Sequence, residues 1–166
     1  GTTATVTDGQ NGGPVYITRF SEGADGTVRD NKTGLIWLKN ANCFGTQTIE
    51  GAQTVVASLA DGQCGLADGS LPGEWRLPII DELVSLVNKN FVRPALPDWI
   101  GDFQWSEGNI FENVMFQVFG DFYWSATEHL SIAHSYFFVD FEDGLVNRSE
   151  DNKIQYGYVW PVKQSP

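Results

Sequence analysis

The chain has few basic residues for its length. Ten Lys and Arg stand against twenty-one Asp and Glu in 166 residues, which gives a formal net charge of −11 at pH 7. The basic residues are scattered, whereas a phosphate-binding surface needs clustered Lys and Arg. We therefore expect no nucleic-acid partner, and the same long-range repulsion disfavours sulfated polysaccharides and anionic membranes.

Long hydrophobic runs are also missing. The sequence contains no apolar stretch of about 18 residues, so we expect no membrane insertion. The opening residues 1–14 are rich in Gly, Thr and Asp and have the pattern of neither a signal peptide nor a transit peptide. They are predicted to be a linker that precedes a single domain over residues 15–166.

Motifs for catalysis and metal binding are scarce. His129 and His134 lie five residues apart without an HExxH pattern, and the two cysteines have no CxxC spacing. No dinucleotide-binding glycine motif, Walker loop or GxSxG elbow occurs. We therefore expect no catalytic residues and no enzymatic activity.

Two uses of the many carboxylates stay open. Asp98, Asp102 and Glu107 lie in an irregular region and could serve an extracellular polysaccharide-acting hydrolase, which needs two carboxylates across a cleft. The oxygen-rich stretches 98–102 and 142–143 could hold calcium. We expect no other cofactor, and the sequence assigns no metal ligand.

Aromatic residues and glycine are abundant. Six Trp, five Tyr, eleven Phe and eighteen Gly favour a loop-rich α+β domain over a helical bundle. Apolar residues at helical spacing predict helices over about 49–59 and 80–87. Short strands are predicted at 15–17, 27–29, 35–38, 123–126, 135–141, 145–146 and 156–162, with a long loop region between 92 and 112.

The strand over 135–141 reads SYFFVDF, and successive side chains of a strand point to opposite faces. We expect Phe137, Val139 and Phe141 to face inward, with Tyr136, Phe138 and Asp140 on the other face.

The segment GEWRLPIIDEL over 73–83 leads into the second helix. Ile79 has no side-chain oxygen with which to cap it, so Asp81 or water is expected to satisfy the first amides. Arg76 is expected to pair with a carboxylate and brace the segment.

Four separated motifs carry a resemblance that covers residues 19–164. They are DGTVRDNKTGLIWLKNANCFG (25–45), LADGQCGLADGS followed by GEWRLPIIDELVSLV (59–87), FYWSATEH (122–129) and YVWPVK (158–163). In this order they resemble the domain at the C-terminus of the Legionella collagen-like adhesin. The Leu-Pro-Ile-Ile helix entry departs from the Leu-Pro-Thr that is usual there.

The resemblance implies a C-type-lectin-like fold, with two helices flanking small antiparallel sheets and the chain ends meeting in one sheet. It implies an adhesin or ligand-binding module, exported to the cell surface or secreted, with a tendency to form homo-oligomers. It favours a disulfide between Cys43 and Cys64, although the residues alone also permit two buried free thiols. The calcium-dependent sugar signature of animal C-type lectins is missing from this sequence.

The favoured hypothesis is an extracellular, non-catalytic module that binds a glycan or a protein surface through its C-terminal loops and strands. Aromatic, amide and charged side chains there suit stacking and hydrogen bonding. The alternatives are the hydrolase and a structural tip domain that drives oligomerisation. The candidate ligand-binding residues are Glu128, His129, Tyr136, Phe138, Asn147, Arg148, Ser149, Asp151, Asn152, Gln155 and Tyr156.

Overall fold

The computed structural model describes residues 5–7 and 14–166, with side chains from residue 17 onward. Strand β1 (Thr5–Thr7) pairs antiparallel with β2 (Pro14–Tyr16). The linker predicted for residues 1–14 otherwise lies outside the described residues.

The first sheet of the main body has four antiparallel strands in the order β3, β4, β5, β9. The predicted hairpin of β4 and β5 is confirmed. Its turn is closed by the Gly34 N–H, which donates to the Asp30 carbonyl at 2.7 Å, and Gly34 has the positive φ (79°) that glycine tolerates. The strands are β3 (Phe20–Glu22), β4 (Thr27–Asp30), β5 (Leu35–Leu38) and β9 (Val162–Gln164).

The second sheet has three antiparallel strands in sequential order, β6 (Tyr123–Glu128), β7 (Tyr136–Asp140) and β8 (Leu145–Arg148). All four residues of β8 are exposed. Residues 87–122, which are all described, connect the second helix to β6 without a named helix or strand. This is the long loop region that the sequence predicts.

Both predicted helices form. Helix α1 (Ile49–Ala57) begins at Thr48, whose hydroxyl oxygen accepts the Gly51 N–H at 3.1 Å. Helix α2 (Ile80–Leu86) has Ile79 at its N-cap.

The expectation that Asp81 caps α2 is wrong, because two other side chains accept the main-chain N–H groups at its start. The Ile80 N–H donates to Thr127 Oγ1 of β6 at 2.9 Å, and the Ile79 N–H donates to Glu82 Oε1 at 2.9 Å. A hydroxyl from a distant strand therefore replaces the missing N-cap oxygen.

Strands β6 and β7 are covered on both faces. Val139 and Phe141 pack with α2 in one hydrophobic cluster, which also contains Trp37 and Trp160. Phe138, from the opposite face of β7, belongs to a second cluster with α1. Phe138 thus lies on the face opposite Val139, as predicted, but it is buried, so its predicted place in an exposed ligand-binding surface is wrong. Phe137, which was predicted to face inward, is only half-buried.

The closing strand also differs from the prediction. It covers Val162–Gln164 rather than 156–162. Within the predicted range, Gly157 and Tyr158 make isolated bridges to Gln47 and Tyr123. Pro161 has no N–H to donate to a ladder, so regular pairing begins only after it.

Two helices and small antiparallel sheets make this an α+β fold, as predicted. The first strand after the β1–β2 pair, β3, and the last strand, β9, lie in one sheet. Cys43 and Cys64 form a disulfide with their Cα atoms 5.7 Å apart. No helix within the described part of the chain is long and apolar enough to cross a membrane. The closer likeness to C-type lectins stays a prediction.

Candidate functional site

A cleft of about 420 Å³ opens between the amino end of α1 and the segment that follows β8. We call it the α1 cleft. It brings together residues that are about 100 positions apart in the sequence, and Trp124 of β6 also lines it. Its lining residues are Thr48, Ile49, Glu50, Trp124, His134, Ser149, Glu150, Asp151, Asn152, Lys153, Ile154 and Gln155.

The α1 wall is fixed by the packing of the helix. Ile49, Ala52 and Val56 are buried at helical spacing, so the opposite side of the first turn stays free. Glu50 is exposed in that turn, next to the capping Thr48.

The opposite wall is a short segment held at both ends. Ser149 is buried, and its N–H donates to the Tyr136 carbonyl at 2.9 Å while its Oγ accepts the Tyr136 N–H at 2.9 Å. At the other end, Gln155 Oε1 accepts the Glu150 N–H at 2.8 Å. Residues 151–154 between these anchors are exposed, so their side chains are available to a ligand.

Four of the predicted ligand-binding residues line this cleft: Ser149, Asp151, Asn152 and Gln155. Ser149 is buried and acts as an anchor of the wall rather than as an exposed contact for a ligand. Asp151 and Asn152 are the exposed members of the set.

The other seven predicted residues lie outside the cleft. Phe138 is buried and stacks on Phe122 with ring centroids 3.9 Å apart, so the structure does not offer it to a ligand. Tyr136 is half-buried against the same cluster. Asn147, Arg148 and Tyr156 are exposed elsewhere.

The remaining two, Glu128 and His129, organise the connection between β6 and β7. Glu128 Oε1 accepts the His134 N–H at 2.7 Å, and His129 Nδ1 accepts the Ser131 N–H at 3.1 Å. The His129 ring also lies 5.7 Å from the Phe137 ring. Their contacts are therefore local, and it is His134 that reaches the α1 cleft.

Sequence reasoning missed the α1 side of the cleft. Thr48 and Glu50 were readable as helix-start residues, but no pattern places them beside residues 150–155. The link is tertiary: the Gln47 carbonyl accepts both the Gly157 N–H at 2.9 Å and the Trp124 indole N–H at 2.8 Å.

The cleft has an acidic balance. Glu50, Glu150 and Asp151 line it, against Lys153, which pairs with Glu150 at 2.7 Å. A ligand with several negative charges would be repelled, and a neutral or cationic group would be tolerated.

The carboxylates considered for a hydrolase lie away from this cleft. Asp98 is buried, and its Oδ1 accepts the N–H groups of Gly101 at 2.9 Å and Phe103 at 3.3 Å. Glu107 Oε1 accepts the Asn113 N–H at 2.9 Å. In the described part of the chain, no group of three or more His, Cys, Asp and Glu residues is arranged to hold a metal ion.

Comparison with known proteins gives one match. The family model described as the Lcl C-terminal domain matches residues 26–163, which is most of the chain. No curated protein and no solved structure matches.

Proposed function

Because this chain belongs to the Lcl C-terminal domain family, an adhesin-associated family, we propose that it is an extracellular ligand-binding module without catalytic activity. The ligand is a glycan or a protein surface, and it binds in the α1 cleft. The observation that carries the proposal is the assembly of the exposed residues 151–154, three of them polar, opposite the first turn of α1, around a preformed concave site.

The structure of the cleft favours binding over chemistry. Its side chains offer carboxylates, amides, two hydroxyls and two isoleucines, which suits hydrogen bonding around an apolar patch. The wall is anchored by Ser149 and Gln155, so little ordering is needed when a ligand arrives.

Charge narrows the ligand class. The −11 net charge and the three cleft carboxylates disfavour sulfated and other polyanionic glycans. We propose neutral or positively charged partners, such as an unsulfated glycan or a basic protein surface.

An exported location agrees with the covalent structure. The Cys43–Cys64 disulfide persists in oxidising compartments, and the family is adhesin-associated. We propose display at the cell surface or secretion, with this domain contacting its partner outside the cell.

The test compares binding of the wild-type domain and the double variant Asp151→Ala/Asn152→Ala to a glycan array and a panel of surface proteins. Both side chains are exposed, and within the described residues neither has a hydrogen-bond or ion-pair partner, so the fold should persist. We expect at least about tenfold weaker binding.

The control is Asp81→Ala/Asn90→Ala, which removes the same two side-chain types from exposed positions outside the cleft. It should bind like the wild type. If Asp151→Ala/Asn152→Ala bound a ligand as strongly as this control, the ligand would not bind in the α1 cleft. If the wild type bound nothing on either panel, the proposed ligand-binding function would be refuted.

A further inference from the structure

A second cleft, of about 430 Å³, lies beside the long loop region and shares no lining residue with the α1 cleft. We call it the Trp99 cleft. Strand β3 and its approach form one side, and two points of the long loop form the other. The lining residues are Thr18, Phe20, Ser21, Glu22, Trp99, Gly108, Asn109 and Ile110.

Trp99 is an exposed aromatic on a fixed backbone. Trp99 is 40% exposed, whereas Trp37 and Trp160 are fully buried. The main-chain N–H of Trp99 donates to Asn109 Oδ1 at 3.0 Å, and its main-chain carbonyl accepts the Phe20 N–H at 3.0 Å. The main chain on both sides of the indole is therefore tied to the walls of the cleft.

The turn around Trp99 is fixed from within as well. The buried Asp98 carboxylate accepts two N–H groups of the turn, from Gly101 and Phe103. The Arg19 N–H donates to the Ile100 carbonyl at 3.1 Å, which joins the turn to the chain before β3. Such bracing lowers the entropy that is lost when a ligand packs on the indole.

Polar groups surround the aromatic. Thr18 and Ser21 provide hydroxyls, and Asn109 provides an amide whose Nδ2 has no acceptor among the described residues. Glu22 carries the only carboxylate of the lining, and its partner Lys39 also pairs with Glu112 at 3.4 Å, so one negative charge remains beside the cleft. The cleft thus combines one aromatic surface with mostly uncharged hydrogen-bonding groups.

We propose that the Trp99 cleft binds a neutral saccharide, with one sugar ring packed on the Trp99 indole and its hydroxyls bonded to Asn109, Ser21 and Thr18. A sugar ring presents an apolar C–H face and a rim of hydroxyls, which matches an indole with uncharged donors and acceptors around it. An anionic sugar would meet Glu22 and the −11 net charge. A strongly cationic ligand would find Glu22 already paired with Lys39.

This site does not depend on the proposed function of the α1 cleft. Its test uses unsubstituted neutral hexasaccharides of glucose, mannose, galactose and N-acetylglucosamine, with calorimetry and saturation-transfer NMR on the full chain. We expect at least one hexasaccharide to bind, and Trp99→Ala to weaken that binding by at least about tenfold, as for other aromatic anchors. Trp99→Phe should retain part of the affinity, because it keeps a smaller aromatic face.

The matched control is Phe103→Ala. Phe103 is 64% exposed on the same turn but lies outside the cleft lining, so the variant should bind like the wild type. Melting temperatures of all variants identify any loss of fold.

Three results would overturn the proposal. One is that no neutral hexasaccharide binds the wild type. Another is that Trp99→Ala binds as well as Phe103→Ala while both remain folded. The third is that Trp99→Ala loses binding only to proteins, which would make this turn a protein-binding surface.

Discussion

Gly157 and Gln47 exchange two backbone hydrogen bonds, at 2.9 Å from the Gly157 N–H and at 2.8 Å from the Gln47 N–H. Gln47 directly precedes the Thr48 cap of α1, and Gly157 follows the segment that forms the other wall of the α1 cleft. This pair therefore sets the distance between the two walls. The Trp124 indole, which donates to the same Gln47 carbonyl, fills the space beside it.

Gly157→Ala should disturb both stability and the cleft. An added Cβ would lie 2.3 Å from Phe122 Cε2 and 2.9 Å from Trp124 Nε1, closer than real Cβ contacts allow. We expect a loss of about 1–3 kcal/mol in the free energy of unfolding, as for other overpacked sites, with weaker ligand binding in the α1 cleft. Urea denaturation measures the first effect. Replacing glycine also reduces the freedom of the unfolded chain, which by itself would stabilise the variant. A stability equal to or above that of the wild type would therefore contradict the expected clash.

Arg76→Ala should destabilise the domain without abolishing ligand binding. The guanidinium makes two bonds to the Glu82 carboxylate, at 2.6 and 2.8 Å, and Glu82 Oε1 also accepts the Ile79 N–H at the start of α2. Because Arg76 is partly exposed, solvent screening reduces the effect to about 1 kcal/mol. Lost binding with an unchanged melting temperature would show that Arg76 contacts the ligand.

The same pair should shape the acid denaturation of the domain. Partial burial by itself raises the pKa of Glu82, but the bonds from Arg76 and Ile79 outweigh it and hold that pKa below its ordinary value of 4.5. The pair therefore stabilises the fold fully above about pH 4.5, and this contribution is lost as pH falls through the lower folded-state pKa. Stability measured from pH 7 to 3 should fall less steeply in Arg76→Ala than in the wild type. Parallel curves would contradict this.

Asp140→Asn should stabilise the domain at neutral pH. Burial, followed by the negative charges of Glu142, Asp143 and Asp121, raises the pKa of Asp140 above its ordinary value of 3.8, although the Glu142 N–H acts in the opposite direction. The ionised form is thus less favourable in the folded chain, so stability falls as pH rises through this range. Asparagine can still accept the Glu142 N–H.

We expect a higher urea midpoint for Asp140→Asn at pH 7, and a difference that vanishes below about pH 3.8. Asp61→Asn is the control, because Asp61 accepts the Gly69 N–H in a similar way at an exposed position. A midpoint that drops for Asp140→Asn and not for Asp61→Asn would contradict the expectation.

Removal of the disulfide should cost about 3 kcal/mol, the value that the chain-entropy model gives for a loop of this length. Cys43→Ala/Cys64→Ala removes the bridge, and thermal unfolding in the absence of reductant measures the effect. Wild-type protein treated with reductant should approach the variant. An unchanged melting temperature in both cases would show that the bridge does not restrict the unfolded chain.

Calcium chelation should leave the domain unchanged. The Asp98 Oδ1 oxygen already accepts two N–H groups, and Glu142 pairs with Arg93 at 3.4 Å, so both stretches considered for calcium use their carboxylates within the fold. We expect the same melting temperature and ligand affinity with EDTA and with millimolar calcium. A rise of several degrees with calcium would reveal a site that forms only around the ion.

Local features of this fold were predictable from the sequence. Helical spacing gave both helices to within two residues at each end, and the Asp30–Gly34 turn gave the β4–β5 hairpin. These signals succeed because they depend on neighbours within one or two turns of chain.

The candidate site was only half predictable. The exposed residues 151 and 152 follow a strand and could be recognised as a loop, but Thr48 and Trp99 reach their clefts through contacts across the whole chain. Phe138 was wrongly expected on an exposed ligand-binding surface, because alternation separates the two faces of a strand without saying that both are covered. The Thr127 cap of α2 was likewise a long-range contact.

The two hydrophobic clusters on either side of β6 and β7 hold the domain together, and the residues that we propose to bind ligands lie outside both clusters. The buried side chains on both faces of these strands are fixed by packing, so a change in them alters the whole domain. Residues 151–154 and the turn around Trp99 are each attached to the packed part of the domain by a few hydrogen bonds. Residues 151–154 and the turn around Trp99 could therefore be randomised while the two hydrophobic clusters are kept unchanged. Binders for new partners could then be selected from one stable scaffold.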